Sequence, residues 1–425
     1  MPDIESTIII PLRPNWIEQM LVWGRQQFNY FGYFHSNDIP YPQGGFEHVF
    51  YAGNRAEPLE KMSELPEDKP KIGIIGYDQK NKYEKLSSHN RTWFDCPDSV
   101  FFSPEVVIQL AEDLVQITAI RPDKIVESIQ STVVSAQQFG KGLTMQVSHD
   151  QQAYSKIFSQ IRKHILEGTI YELNFCMDYH GTLPANEPER VFLELCSQSP
   201  MPFSAFFKAK DLFLCCASPE RFLKKNAQNL LSQPIKGSVK RGSNPEADAL
   251  LVKSLAESEK EKAENLMIVD LMRNDLSRVA EIGSVKVTEL FGIYSFQRIT
   301  QMISSISCRL KNGVTFEEII SKTFPMGSMT GAPKIKCMEL IETYESFKRS
   351  WFSGTLGYIN SSGDFDFCVV IRSLVINQTK NSFYFGVGSA ITLDANATDE
   401  YQECQLKAAP IIQTLKKLYQ SNPIL

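Results

Sequence analysis

The sequence predicts an α+β fold, with helices set beside antiparallel strands rather than alternating with parallel ones. Three observations carry that prediction. Tyr154, Ile157, Phe158, Ile161 and Ile165 recur at helical spacing from Gln151 to Gly168, where glycine supplies the stop. Trp351–Asn360, Asp366–Asn377 and Ser382–Thr392 read as strands joined by hairpin turns at Ser361-Ser362-Gly363 and Gln378–Asn381, an antiparallel meander. The closing stretch, Thr398–Leu418, is again helical, with Leu406, Ile411, Leu415 and Leu418 apolar.

The remaining elements follow the same reasoning. Glu257–Arg278 and Phe316–Phe324 are helical candidates. Before residue 149, short apolar runs such as Ile72–Tyr77 are broken by stretches such as Pro66–Lys71, which predicts strands and loops. One helix is expected there, at Pro104–Thr118, and Ser135–His149 reads as a connection. The firmer pattern from about residue 150 divides the chain into an N-terminal region, 1–148, that packs with the core, and a main domain, 149–425.

With 43% hydrophobic and 22% charged residues, the 425-residue chain has ordinary globular composition. A net charge of −5 provides no basic field for nucleic acid. No window approaches the roughly 18 apolar residues of a membrane span, and the acidic start Met1-Pro2-Asp3-Ile4-Glu5 is unlike a signal peptide. Nine cysteines without a C-x-x-C pair suit reduced thiols, so a cytoplasmic location is expected. All six histidines (His35, His48, His89, His149, His164, His180) precede residue 181, which disfavours zinc chemistry in the second half.

Glu261 and Glu264 lie three apart on one predicted helix, and Glu400 and Glu403 repeat that spacing on another. Four carboxylates on two helices suit a hard divalent cation, though solvated helix faces would carry the same pattern. Arg372 interrupts an apolar run, Phe367–Val375, and a buried guanidinium needs an anion: a ligand carboxylate or a structural partner. Gly386 and Gly388 permit close backbone approach and N–H donation, or mark a bulge. They do not match a dinucleotide fingerprint, and Gly327–Lys334 does not match a P-loop. Gln233–Gly242 is a loop with three basic residues. Lys236 there is either solvated or an amine whose pKa must fall before it can act as a nucleophile.

Taken together, these segments resemble the chorismate-utilising enzyme family: anthranilate, aminodeoxychorismate, isochorismate and salicylate synthases. The resemblance runs through Ala217-Ser218-Pro219-Glu220-Arg221-Phe222, the Pro234–Gly242 loop and Ala263-Glu264-Asn265, then Asp270–Leu276 and Phe324–Lys334. It continues through Ile371-Arg372-Ser373 and Glu400-Tyr401-Gln402-Glu403, in the family's order over roughly residues 150–420. It implies large antiparallel sheets in a sandwich-like core flanked by helices, with 149–425 as the chorismate-binding domain. It further implies Mg2+ on Glu264 and Glu403, with Glu261 and Glu400 acting directly or through water. Backbone donors at Gly237, Ser238, Gly388 and Ala390 would hold the ring carboxylate. Arg372 and Lys407 would hold the enolpyruvyl carboxylate, with Ser328 as a further contact.

Within that resemblance, Lys236 points to the aminodeoxychorismate branch, because anthranilate synthases carry alanine there. The expected chemistry is addition of the lysine at C2, loss of the C4 hydroxyl with Glu220 as general acid, and displacement of the lysine by ammonia. Isochorismate and salicylate synthases use a lysine base near Tyr171–Asn174, where this chain has Glu172, which argues against water as nucleophile. Gln301, Phe352 and Ala390 depart from a family histidine, tyrosine and glycine. A glutaminase segment of the G-x-C-x-G-x-Q kind is not found in the sequence, so ammonia is expected from a separate glutamine amidotransferase subunit. Anthranilate formation, and a non-catalytic chorismate-binding subunit, are the competing expectations.

Overall fold

The computed structural model describes residues 5–135, 142–184, 187–297 and 299–419. Its strands build two large antiparallel sheets that enclose one core. The first runs in the order 5–11, 114–120, 106–110, 49–53, 30–35, 203–209, 212–218, 373–377, 382–391, 172–182 and 331–332, with 144–147 also on 172–182. The second runs 235–240, 299–309, 229–233, 221–226, 365–369, 355–359, 71–75, 99–102 and 56–57, with 286–295 on 299–309. Residues before 149 enter both sheets: 30–35 pairs with 203–209, and 71–75 with 355–359.

Strand alternation separates two apolar layers. Phe207 points into the core between the sheets with Phe34, Phe101 and Phe367. Its neighbour Phe206 points outward with Phe31, Phe192 and Phe213, under the helices Trp16–Gln27, Gln151–Leu166, Pro188–Gln198 and Ala397–Tyr419. Each such ring taken from water contributes roughly 2 kcal/mol, so both faces of the first sheet are strongly held.

The helices at Gln151–Leu166, Glu259–Ser277, Phe316–Thr323 and Ala397–Tyr419 fall where the sequence predicts them. Two expectations are corrected. Pro104–Thr118 is not a helix but a hairpin of strands 106–110 and 114–120, closed by Ala111 N–H on the Leu114 carbonyl. Val106, Ile108, Leu110, Val115, Ile117 and Ala119 are buried at a period of two, which a helix would scatter around its circumference. Nor is Asp366–Asn377 one strand of a meander. Phe365–Val369 belongs to the second sheet and Ser373–Asn377 to the first, and the chain crosses between them at residues 370–372. In the Ser135–His149 connection, residues 136–141 lie outside the described residues and Thr144–Val147 forms a strand.

One buried ion pair fixes the end of the 172–182 strand. Arg349 (1% exposed) donates to both oxygens of Glu345 at 2.6 and 2.9 Å, and to the carbonyls of Met329 and Asn174 at 2.6 and 2.9 Å. Glu345 in turn accepts from the Cys176 N–H at 2.8 Å. Removing one charge from a satisfied buried pair strands the other. Glu345→Gln should therefore lower unfolding free energy by about 3–5 kcal/mol in urea denaturation. An unchanged midpoint would show that the pair does not hold this end of the strand.

Candidate active site

Two places where strands change sheet bring the chemistry together. The chain passes from the first sheet to the second between Leu212–Ser218 and Arg221–Asn226, and returns between Phe365–Val369 and Ser373–Asn377. The crossings are hydrogen-bonded to each other: Val369 N–H to the Glu220 carbonyl, and Ala217 N–H to the Arg372 carbonyl. Arg372 takes a left-handed φ of 52° to make its crossing. Glu220 and Arg372 thus sit at paired corners, where the backbone leaves its ladders.

A β-bulge aims Lys236. In the pairing with 299–309, Ile235 lies opposite Ile303 and Ser238 opposite Gln301, so one extra residue is inserted around Lys236 and Gly237. Gly237 has φ 83°, and a Cβ there would lie 2.9 Å from Glu261 Oε2. Only glycine lets the bulge rest against the acidic helix. The Lys236 side chain is 12% exposed and its ammonium donates to Glu172 Oε1 at 2.7 Å, inside the protein rather than toward bulk solvent.

Both acid pairs ride on the first two turns of their helices. The Ser258 hydroxyl caps the Glu259–Ser277 helix by accepting from the Glu261 N–H, in a capping-box pattern. The Asn396 side chain caps the Ala397–Tyr419 helix at the Thr398 N–H. Lys260 reaches Glu400 Oε1 at 3.3 Å and Glu264 Oε1 at 3.8 Å, spanning the two helices. Lys407 binds Glu403 Oε1 at 2.6 Å and donates to the Gly388 carbonyl at 2.8 Å. Among the described residues no three carboxylates, thiols or imidazoles stand in ready-made metal geometry. The donor set nevertheless suits a hard divalent cation, because lysine ammonium groups now supply the neutralising charge and buried Glu264 Oε1 has no hydrogen-bond partner.

The electrostatics carry the same crowding. Burial pushes Glu264 up to about 7, with Glu172 and Glu261 adding to the rise against Lys236 and Lys260. Burial also raises Glu261 and Glu400, each with Glu403 as a repelling neighbour. Glu403 is lowered despite its burial, because Lys407 holds it. Burial pushes Glu220 up to about 7, against the Ser328 hydroxyl and the Lys236 ammonium. The Ser328 hydroxyl faces that carboxyl without the alignment of a full hydrogen bond.

Lys236 reverses one expectation. Burial lowers its pKa, but Glu172, Glu264 and Glu403 outweigh burial and hold it above the ordinary lysine range. In this state it is an ammonium ion, and it becomes a nucleophile only by losing a proton to a neighbour.

The other sequence-predicted residues divide. Buried Gln301 and Ser328 each carry a side-chain oxygen with no partner among the described residues, Gln301 beside Ser238 on the bulge. Ser238 itself is exposed. Gly388 and Ala390 lie opposite Cys176 and Asn174, beyond Tyr384 where pairing with strand 373–377 ends, so they have a strand on one side only. Gly386 is explained by packing: a Cβ there would be 2.3 Å from the Phe352 ring. Arg372 makes no salt bridge among the described residues; burial lowers its pKa while Glu403 supports its charge, so the structural ion pair is not formed. Three participants escaped the sequence reading. Lys260 is not singled out by the sequence, although its spacing to Glu264 is that of a helical pair. Glu172 counted only as a missing lysine, and buried Asn265, with its Nδ2 unpartnered, gave no signal beyond its adjacency to Glu264. A cavity lined by Glu18, Arg25 and Arg190 shares no residue with this cluster.

A family profile described as chorismate binding enzyme matches residues 43–413. The chloroplastic aminodeoxychorismate synthase of Arabidopsis thaliana is 34% identical over 365 residues, 79% of this chain and 39% of that protein. Aminodeoxychorismate synthase component 1 of Escherichia coli is 30% identical over 360 residues, 83% of this chain and 78% of that protein. The chain thus spans about two fifths of the plant relative's length but most of the component 1 relative's. Anthranilate synthase component I from Streptococcus pneumoniae superposes with a TM-score of 0.74 at 23% identity, over 97% of this chain and 92% of the other, which shows the fold.

A half-buried guanidinium without an anion, as at Arg372, is poorly satisfied until one arrives. Arg372→Met should leave the thermal midpoint unchanged or raise it, while weakening chorismate binding about tenfold or more, the scale of one charged hydrogen bond. Thermal melts and calorimetric titration check this. A lowered midpoint with unaltered affinity would make Arg372 a structural residue.

Proposed function

The chain belongs to the chorismate-binding enzyme family, and from that premise we propose that it is an aminodeoxychorismate synthase component that aminates chorismate at C4. The observation that carries the reading is the inward amine. Lys236 is set on a bulge against Glu172 and beside the acidic pairs, and Glu220 stands close enough to share its electrostatic field. The names of the plant and bacterial relatives support the same reading.

In this proposal Glu264 and Glu403 hold Mg2+, with Glu261 and Glu400 as direct or water-mediated ligands, and 4-aminobenzoate for folate is the downstream product. The metal would supply positive charge for the ring carboxylate of chorismate. The chain's own residues do the rest. Arg372 offers a planar fork to the enolpyruvyl carboxylate, and Lys407 a second cation once Glu403 is otherwise neutralised. The backbone at Gly237, Ser238, Gly388 and Ala390 presents donors to the ring carboxylate. Gln301 and Ser328 bring unsatisfied polar atoms to the same end of the sandwich. Glu220, raised to about 7, retains a proton near neutral pH and gives it to the departing C4 hydroxyl.

The name component 1 on the Escherichia coli relative supports a partner, which we propose is a separate glutamine amidotransferase delivering ammonia. No helix among the described residues is long and apolar enough to cross a membrane, and all nine cysteines are unpaired, which suits the proposed cytoplasmic setting.

Product identity tests the proposal. With chorismate, Mg2+ and an ammonium salt, the protein should yield 4-aminobenzoate once the lyase is added, and no fluorescent anthranilate. Lys236→Ala should lower the rate by about a hundredfold or more while changing chorismate affinity only slightly, as for a group acting in the chemical step. Anthranilate from the wild type, chorismate bound but not consumed, or a fully active variant would each contradict it.

A further inference from the structure

The cluster leaves one proton unaccounted for. Lys236 is an ammonium ion as the protein stands, and an ammonium has no lone pair with which to attack carbon. Some group must take its proton. Facing it are Glu172 from strand 172–182, Glu264 from the Glu259–Ser277 helix and Glu403 from the Ala397–Tyr419 helix. Glu220 lies at the nearby crossing, with Lys407 acting on it from the last helix. Glu403 is bound to Lys407, Glu264 is in contact with Lys260, and both are committed to the cation in the proposed function. Glu220 must carry a proton to act as the acid. Only Glu172 touches the ammonium directly.

Glu172 is also built for the task. It is 1% exposed, so water cannot compete for its proton. Its Oε1 accepts the Lys236 hydrogen bond at 2.7 Å, whereas its buried Oε2 has no partner among the described residues. The backbone around it is fixed: Glu172 lies opposite Ala332, its carbonyl accepts from Cys337 Sγ at 3.1 Å, and the Tyr171 N–H binds the Ala332 carbonyl at 2.8 Å. A buried carboxylate with a single hydrogen-bonded partner is a local proton acceptor.

Resting on the proposed amination, we propose that Glu172 is the residue that positions Lys236 and accepts its proton, converting the ammonium into the amine that attacks the ring. The proton passes from Nζ to Glu172, and the freed lone pair forms the C2–N bond. Both ring double bonds shift, C1=C2 to C1=C6 and C5=C6 to C4=C5, and the C4–O bond breaks with its electron pair on oxygen, which leaves as water with the Glu220 proton. Ammonia then forms the C4–N bond, both double bonds shift back, and the C2–N electron pair returns to Lys236. The new C4 ammonium gives one proton to Glu220, and Glu172 returns its proton to Lys236. The sum is chorismate plus ammonia giving aminodeoxychorismate plus water.

The sign of one rate change separates this role from that of a counter-ion. Glu172→Gln keeps the shape and the hydrogen bond but cannot accept the proton. A mere counter-ion would, when removed, leave more free amine and a faster enzyme. A proton acceptor would, when removed, leave a slower one. We expect Glu172→Gln to slow aminodeoxychorismate formation by about a hundredfold or more, with chorismate affinity within a few fold, and Glu172→Asp to recover part of the rate.

A second readout needs neither metal nor turnover. The amines are tagged by 13C reductive methylation, the Lys236 signal is assigned by its absence in Lys236→Arg, and its titration is followed by NMR. The Lys236 signal should titrate at lower pH in Glu172→Gln than in the wild type. Rate and titration both unchanged would overturn the role, as would a faster Glu172→Gln enzyme. A wild type that makes anthranilate, or nothing, would instead sink the amination reading, and the titration would still report whether Glu172 governs Lys236.

Discussion

Five carboxylates and three ammonium groups share one end of this sandwich, and their mutual compensation is the constraint on which the site depends. Glu172, Glu261, Glu264, Glu400 and Glu403 are met by Lys236, Lys260 and Lys407. Isolated burial of any of them would be prohibitive. The surplus of acid over base is what a divalent cation would relieve. In the proposed function the lysines would act as placeholders, which a cation and a dicarboxylate would release from the glutamates to the substrate.

The scaffold makes this arrangement possible by letting strands change sheet. A continuous strand alternates its side chains between two filled layers, and neither layer has room for a guanidinium without a partner. At the paired crossings around Glu220 and Arg372 the ladders stop, and polar side chains gain a boundary between layers. The bulge at Lys236 works the same way on the second sheet, turning by one residue a side chain that regular alternation would place elsewhere. Behind both, the Arg349–Glu345 pair locks the strand that carries Glu172 to the turn that carries Ser328. Rigid support of this kind lets a crowded site keep its geometry without a ligand.

Much of this was legible in the sequence, for identifiable reasons. Helices with one apolar stripe, such as Gln151–Leu166, announce themselves through spacing, and the acid pairs gained meaning from the ordered motifs around them. The misreadings have equally specific causes. In Pro104–Thr118 the apolar residues satisfy a helical spacing through Val107, Ile108, Ala111, Leu114 and Val115 as readily as a strand spacing, and only the Glu112-Asp113 tip marks the turn. In Phe367–Val375 both halves are buried on both faces, so the passage from one sheet to the other leaves no polar signature except Arg372. The partnership of Glu172 and Lys236 joins positions far apart in the chain, and no local pattern could have disclosed it. The sequence leaves open whether Lys236 is solvated or carries a shifted pKa for the same reason: the three carboxylates that raise it lie far away in the chain.

The central claim is that this inward-facing amine forms a bond to the substrate ring. It can be tested most directly by mixing the protein with chorismate and Mg2+ in the absence of ammonia, quenching with acid and mapping the peptides by mass spectrometry. The account predicts an adduct of chorismate less one water on the peptide bearing Lys236, absent from Lys236→Ala. An adduct on another residue, or none while chorismate is consumed, would contradict it.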